Sequence, residues 1–522
     1  NQHRHGRDDL HGGHAGQCGE GKISGNLGCG NVIIHVSANV AAGGGPVYII
    51  LMSSAKTLIL FLTLTVLGAC AAPVTAPAPV ITAATAIPSA TELADADETL
   101  AASRLGLADA QWGYIVIDAE TGSVLETRNG DTGFPPASTA KLPTMIAALG
   151  ILGPTYRFTT QVLARGTLTS GTLSGDLVLA GDGDPLLTAG DLRALAIRLR
   201  DIGIDKVDGR FLYASAIPVL AEVEPNQPPT APYNQGLGGL NIEFNRVLLT
   251  DGGTPYTTPP EALQLVPATS DPGRPLAELP VRDPARLAAL ILRRLAMAEG
   301  ITLPVPEAGR PPPGAVSLAQ VHSQPLIEIA RAGLEYSNNM VAEVTGLAAS
   351  QALGSGAETL RGSADTLGIW LEDEVDGLRQ FATALANHSG LSTVSQISPR
   401  QMSLILDYAL KRRFDGWRFD SLLTPGGTRD TLRGRFRDPD TAYRVWAKSG
   451  TMRYIKGLAG YLDAHSGRRL IFALFVHDPK LRDAMENDPD RSEAAARAAS
   501  ADWRKRSDIF EAVLVGGWIM RH

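Results

Sequence analysis

Ser138 and Lys141 stand three positions apart in PPASTAKLPT, residues 135–144, where an apolar run begins. On a helix, positions i and i+3 share a face, so the lysine amine reaches the serine hydroxyl. A serine attacks only when something takes its proton. A lysine does so only once burial or a neighbouring cation has displaced its own. Two further motifs follow, Ser337-Asn338-Asn339 and Lys448-Ser449-Gly450. The Ser337 hydroxyl is suited to relay the proton to a leaving amine, and the Asn339 amide to hold a peptide carbonyl. Lys448 would supply the second cation and, with the Ser449 hydroxyl, bind a terminal carboxylate through charge-assisted hydrogen bonds. Gly450 on a strand would let a substrate backbone approach closely. The backbone amides of Ser138 and Thr451 would form an oxyanion hole.

No one of these motifs is specific by itself. Ser53 to Lys56 repeats the first spacing, and Ser24 to Asn26 repeats the second. What the repeats lack is order and setting. The active set opens a helix, then sits between two helices, then lies on a strand that ends in glycine.

The elements that must hold these residues are legible in outline. QWGYIVIDAETGSVLETRNGD, from Gln111, reads as a hairpin with a Glu-Thr-Gly turn. LPTMIAALGILG is apolar at helical spacing, so Ser138 opens a buried helix, and Pro143 is tolerated in its first turn. From about residue 156 to 314 the texture is short strands and turns, closed by one helix and the proline-rich PVPEAGRPPPGAV. Helices around the second motif, a strand pair carrying the third, and a C-terminal helix complete the chain. This pattern predicts an α/β (α+β) catalytic domain in two parts, 92–155 and 315–522, split by a mainly β insertion at 156–314.

Ahead of the folded part, Met52 is the first methionine, Lys56 follows it, and Thr57 to Ala69 is a short apolar run ending in LGAC. Such a run suits a signal peptide better than a membrane-spanning helix. LGAC resembles a bacterial lipobox with Cys70 as the lipidated residue, so 52–70 is read as a lipoprotein signal peptide and the protein as exported. Residues 71–91, rich in Ala, Pro and Thr, read as a tether. Residues 1–51 read as an over-extended gene model, although their His3, His5, His11, His14 and Cys18 leave a metal-binding tail as the alternative. With Cys18 and Cys29 set aside, no disulfide forms in the mature chain. A net charge of -7 over 522 residues argues against nucleic acid as a partner.

PASTAKL, SNN followed by MVAE, and AKSGTM together resemble the three signatures of penicillin-binding proteins. LAGDGDPLL, GGLNIEFNRVLL, HSQPLIEIARAGLEYSNNMVAE, SGLS with ISP, DTLRGRF and GLAGYL narrow the resemblance to the class C low-molecular-mass group of D-alanyl-D-alanine carboxypeptidases and endopeptidases. It implies a transpeptidase/β-lactamase-like catalytic domain and an acyl-enzyme on Ser138. It also implies peptidoglycan stem peptides as substrate, β-lactams as inhibitors, a periplasmic location with a lipid anchor in the outer membrane, and no cofactor or metal. Ser389 is the candidate cleft residue of the SGLS segment. Three departures stand out: Asn387-His388 where Asp-Gly is expected, Asp430 where glycine is expected, and Ser449 for threonine. His388, Asp182 and Asp184 read as structural. A serine β-lactamase or esterase shares the motifs, and a degenerate, lipid-tethered wall-binding protein is the non-enzymatic alternative. The charged stretch from His477 to Asp508 has no counterpart in the resemblance.

Overall fold

A computed structural model of the chain describes residues 87–250, 258–268, 277–380, 384–428, 430–488 and 492–522. The proposed leader, the lipidation site Cys70, most of the tether and the histidine-rich segment lie outside the described residues. The chain enters through α1 (Glu98–Arg104), the hairpin β1 (Gln111–Asp118) and β2 (Val124–Arg128), and α2 (Lys141–Ile151). The insertion follows as β3 (Thr159–Thr169), β4 (Thr172–Gly181), α3 (Ala189–Asp201), β5 (Lys206–Val207), β6 (Phe211–Ser215), β7 (Arg246–Leu249), β8 (Ala277–Pro280), α4 (Pro284–Ala298), β9 (Pro306–Ala308) and β10 (Val316–His322). The return leg comprises α5 (Leu326–Glu335), α6 (Asn339–Ala352), α7 (Leu360–Glu374), α8 (Pro399–Lys411), β11 (Thr424–Pro425), β12 (Val445–Met452), β13 (Ile455–Asp463), β14 (Arg469–His477), α9 (Pro479–Glu486) and α10 (Glu493–Arg521).

The catalytic part is an antiparallel sheet in the order β11-β12-β13-β14-β1-β2 between two helical layers. β14 explains why. RLIFALFVH is apolar without a break, which a strand can sustain only if both faces are covered. Ile471, Ala473 and Phe475 enter the core built with α2, α5, α6 and α8. Leu470, Phe472, Leu474 and Val476 enter the opposite core, built with α1 and α10. The sheet thus presses α2, the helix that starts just after Ser138, against α6, the helix that starts at Asn339.

The insertion has its own sheet, β10-β3-β4-β6-β9, with β5 beside β4 and a separate β7-β8 pair. One of the sequence expectations changes here. The insertion sheet runs on to His322 rather than closing at 314, because β10 pairs with β3 and β9 pairs with β6 inside the proline-rich stretch. The insertion is mainly β, as expected, and α3 and α4 cover its sheet and supply much of its core. Its 217–237 segment also packs Ile217, Val223 and Leu237 into the catalytic core, so the two parts share apolar surface.

Candidate active site

Ser138 lies on a tight turn, Ala137–Ala140, that runs directly into α2. Ala137 takes a positive φ of 46°, and the Thr139 hydroxyl donates to the Pro136 carbonyl at 2.7 Å. Lys141, the first residue of α2, is fully buried. Its Nζ donates to Ser138 Oγ at 2.9 Å, Asn339 Oδ1 at 2.8 Å and the Ser389 carbonyl at 2.9 Å. The last two partners can only accept. In the neutral amine they take the two N–H groups and leave the lone pair aimed at the Ser138 hydroxyl. Burial brings Lys141 down to about 7, with Glu343 pulling the other way. The repulsion expected between the two motif lysines registers on Lys448, which is pushed well below its ordinary range by burial first, then by Lys141 and Lys456.

The second motif occupies the break between α5 and α6. Ser337 sits at φ 54°, a left-handed conformation uncommon for a residue with a side chain. The middle residue, Asn338, is the helix cap, accepting from the Val341 amide at 3.2 Å. Ser337 and Asn339 are therefore free of the capping role. One turn along α6, on the same face as Asn339, is Glu343, also fully buried. Its Oε2 accepts from the His388 amide at 2.9 Å and its Oε1 from the Ser389 amide at 2.8 Å. Glu343 thereby fixes the backbone that presents the Ser389 carbonyl to Lys141. Sequence reasoning passed over it because MVAEVTGLAAS reads as a core helix. The signal was a lone carboxylate four residues after Asn339 in that run.

The departures in 387–392 now have physical readings. Asn387 Oδ1 accepts from the Gly390 amide at 2.9 Å, a task that needs an oxygen and no charge. His388 is buried, its Nε2 is 2.8 Å from Ser363 Oγ, and burial holds it down to about 3, so it is neutral. Gly346 makes room for the ring, since a Cβ there would lie 2.3 Å from it. Ser389 is not on the cleft wall as expected. Its side chain is fully buried, and it serves the site through its carbonyl.

The third motif lies on β12. A cavity of about 290 Å³ opens over Ser138, Ser337, Ser449 and Thr451. Lys448 does not reach it. Its buried Nζ donates to the Ser449 carbonyl at 2.7 Å, because burial penalises a charge left without an acceptor. The expectation that Lys448 itself grips a carboxylate is corrected accordingly, since its amine is buried, within electrostatic reach of Lys141. Gly450 has a different reason from the one expected. A Cβ there would meet Pro136 O at 2.6 Å and the Ser138 amide nitrogen at 2.9 Å. The close approach is that of the nucleophile's own turn, and it sets the Ser138 amide one residue from Thr451 along β12. Gly450→Ala is therefore expected to slow acylation of Ser138 by about a hundredfold, since a displacement near 1 Å has that effect. Stopped-flow labelling with a chromogenic cephalosporin reads the rate directly.

Two elements that sequence reasoning left unconnected also reach the site. Asn339 Nδ2 donates to the carbonyl of Tyr233, in the insertion, at 3.0 Å. The charged C-terminal stretch folds as α9 and α10, and α10 brings Arg504 and Asp508 to the cavity beside Thr431, Arg435 and Lys456. The groups at the site carry hydroxyls, amines and amides for acyl transfer. Among the described residues no cluster of three or more His, Cys, Asp or Glu could hold a metal ion.

The sequence profile of the D-Ala-D-Ala carboxypeptidase 3 (S13) family matches residues 93–250 and 266–500. The chain belongs to this peptidase family. A D-alanyl-D-alanine carboxypeptidase of Haemophilus influenzae is 24% identical over 412 residues, 70% of this chain and 85% of its own length. A carboxypeptidase of Mycobacterium tuberculosis is 29% identical over 408 residues, covering 74% of this chain and 81% of its own. The crystal structure of penicillin-binding protein 4 from Haemophilus influenzae superposes with a TM-score of 0.62 at 22% identity, over 77% of this chain and 97% of that one. At that identity the superposition speaks for the fold. As an S13 peptidase the chain is a hydrolase, and the transpeptidase-like fold expected from the motifs is the one it adopts.

Proposed function

We propose that Ser138 of this S13 peptidase attacks the peptide bond before the terminal D-alanine of peptidoglycan stem peptides, forming an acyl-enzyme that water then hydrolyses. The contact of Lys141 Nζ with Ser138 Oγ at 2.9 Å carries this reading, since it pairs a nucleophile with a buried amine of lowered pKa. Neutral Lys141 takes the Ser138 proton as the hydroxyl oxygen bonds to the substrate carbonyl. The Ser138 and Thr451 amides hold the resulting oxyanion. Ser337, on the cavity wall, passes the proton to the leaving amine, whose departure closes the acyl-enzyme. Asn339 holds both Lys141 and, through Tyr233, the neighbouring loop. Ser449 and Thr451 face the carboxylate of the leaving residue. Cleavage of peptide cross-links uses the same groups.

β-Lactams enter as mimics of the acyl donor and are trapped on Ser138. The reading extends to an exported protein held on a lipid at Cys70, with the outer membrane as its site, and the short apolar run ending in LGAC supports it. Among the described residues no helix is long and apolar enough to cross a membrane. The test is incubation of the folded protein, begun at Ala71, with a fluorescent penicillin, followed over hours and mapped by peptide mass. A lasting adduct on the peptide containing Ser138, with release of D-alanine from a pentapeptide, is expected. An adduct that forms and vanishes within seconds would indicate a β-lactamase. Absence of both adduct and release would leave the wall-binding alternative.

A further inference from the structure

The 388–390 segment touches both halves of the Ser138–Lys141 pair. Ser389 gives its carbonyl to Lys141 Nζ at 2.9 Å. Gly390, at φ 76°, lies so close to the carbonyl of Ala137, one residue before Ser138, that it leaves no room for a Cβ. Three helices hold this segment, and each does so through His388. Its amide donates to Glu343 Oε2 on α6 at 2.9 Å, and its carbonyl accepts from Thr144 Oγ1 on α2 at 2.9 Å. The ring supplies the third hold, with Nε2 2.8 Å from Ser363 Oγ on α7. From there a short chain of contacts runs inward. Ser363 Oγ is 2.7 Å from Ser350 Oγ, and Ser350 donates to the Leu347 carbonyl at 2.9 Å. One order of donation serves all three contacts. Ser350 gives its proton to Leu347, Ser363 gives its own to Ser350, and the Ser363 oxygen accepts from the Nε2–H of a neutral ring. His388, Ser350 and Ser363 are all buried, so each polar group in the chain is costly to leave unpaired. The core is shaped to receive the ring, since Gly346 leaves the space that it fills.

We infer that His388 is a positioning residue for acylation, its ring fixing the 388–390 backbone to α7 so that Ser389 meets Lys141 and Gly390 backs the turn of Ser138. The inference rests on the serine-peptidase reading of the site and adds an anchor that the three motifs do not contain. The glycine that the resemblance leads one to expect at 388 has no side chain with which to reach Ser363. His388 touches no reacting atom in this account, and it is not among the residues that line the cavity over Ser138. Its loss therefore bears on the rate of bond formation rather than on capture of the ligand. Glu343 and Thr144 still hold the backbone of residue 388 when the ring is gone, so the resulting displacement is partial.

The test is stopped-flow acylation by a chromogenic cephalosporin over a range of concentrations, which separates the limiting rate from the concentration at half-maximal rate. Rates are taken per site titrated with fluorescent penicillin, so that unfolded molecules do not count. In His388→Ala the limiting rate is expected to fall roughly ten- to thirtyfold, short of the hundredfold that a displacement near 1 Å costs. The half-maximal concentration should stay at the wild-type value. His388→Gln, whose amide nitrogen can donate to Ser363 in place of Nε2, should recover most of the rate. Ser363→Ala is expected to slow acylation about fivefold, the worth of one ordinary hydrogen bond. Because the two residues act through one contact, the double variant should be no slower than His388→Ala. A purely structural role for the ring would lower the melting temperature and leave the limiting rate per titrated site unchanged, which would overturn the inference. Should His388→Ala not fold, a wild-type limiting rate in Ser363→Ala, which loses a single oxygen, overturns it alone. Should the wild type take no penicillin at Ser138, the peptidase reading falls and the positioning role with it.

Discussion

Lys141→Met is expected to slow acylation of Ser138 by about 10³-fold, the range in which a positioned general base contributes. Methionine keeps the length and apolar stem of lysine, so α2 and its packing against α6 persist while the base disappears. The wild-type pH profile carries the complementary signature. Lys141 accepts a proton only when neutral, and its value of about 7 lies well below that of a free lysine. The acylation rate should therefore rise about tenfold per pH unit below that point and level off above it, as for any single group that must be unprotonated. Lys141→Met should lose this inflection along with the rate. A profile that kept the inflection after the substitution would assign it to another group. Measuring kcat/KM for a β-lactam from pH 5.5 to 9 reads the free enzyme.

Glu343→Ala is expected to cost both stability and rate. It strips the acceptors from two buried amides, those of His388 and Ser389, each worth about 1–3 kcal/mol when left unsatisfied. A loss of roughly 2–6 kcal/mol in urea unfolding follows, much of the margin of an ordinary domain. In the molecules that remain folded, the Ser389 carbonyl is no longer held against Lys141. Acylation should then fall by about a hundredfold, the scale of a misplaced catalytic group. Glu343→Gln should be intermediate, because one of its two positions becomes an NH₂ facing an amide donor. If acylation per folded molecule were unchanged in Glu343→Ala, the carboxylate would serve the fold alone.

The parts of the molecule that could be read in advance are those where neighbouring residues determine the outcome. The β14 run, the hairpin around Glu120, and the buried helix behind Ser138 all follow from periodicity and turn chemistry. The contact between Lys141 and Ser138 follows from a spacing of three. What escaped the sequence depends on distant partners. The end of the insertion was misplaced because β9 is only three residues long and pairs within a proline-rich stretch. Ser389 resembled a cleft serine because nothing local announces that Glu343 draws its backbone inward. Lys448 was given the carboxylate because its motif is conspicuous, and nothing local announces that its amine is buried. The charge on the first half of α10 concealed a face that lines the cavity, while its last turns were legible from Phe510, Leu514 and Trp518.

The hydrogen bond from Asn339 to Tyr233, and the entry of Ile217, Val223 and Leu237 into the catalytic core, make the insertion something other than a passenger. Splitting the chain at the sequence boundaries would leave a catalytic fragment with an open apolar seam and an asparagine short of one of its anchors. A chimera that grafts a relative's insertion onto this frame would need to carry over the 217–237 segment as part of the recipient. Modularity here stops short of the active site, so change in the insertion is constrained by the chemistry it helps to hold in place.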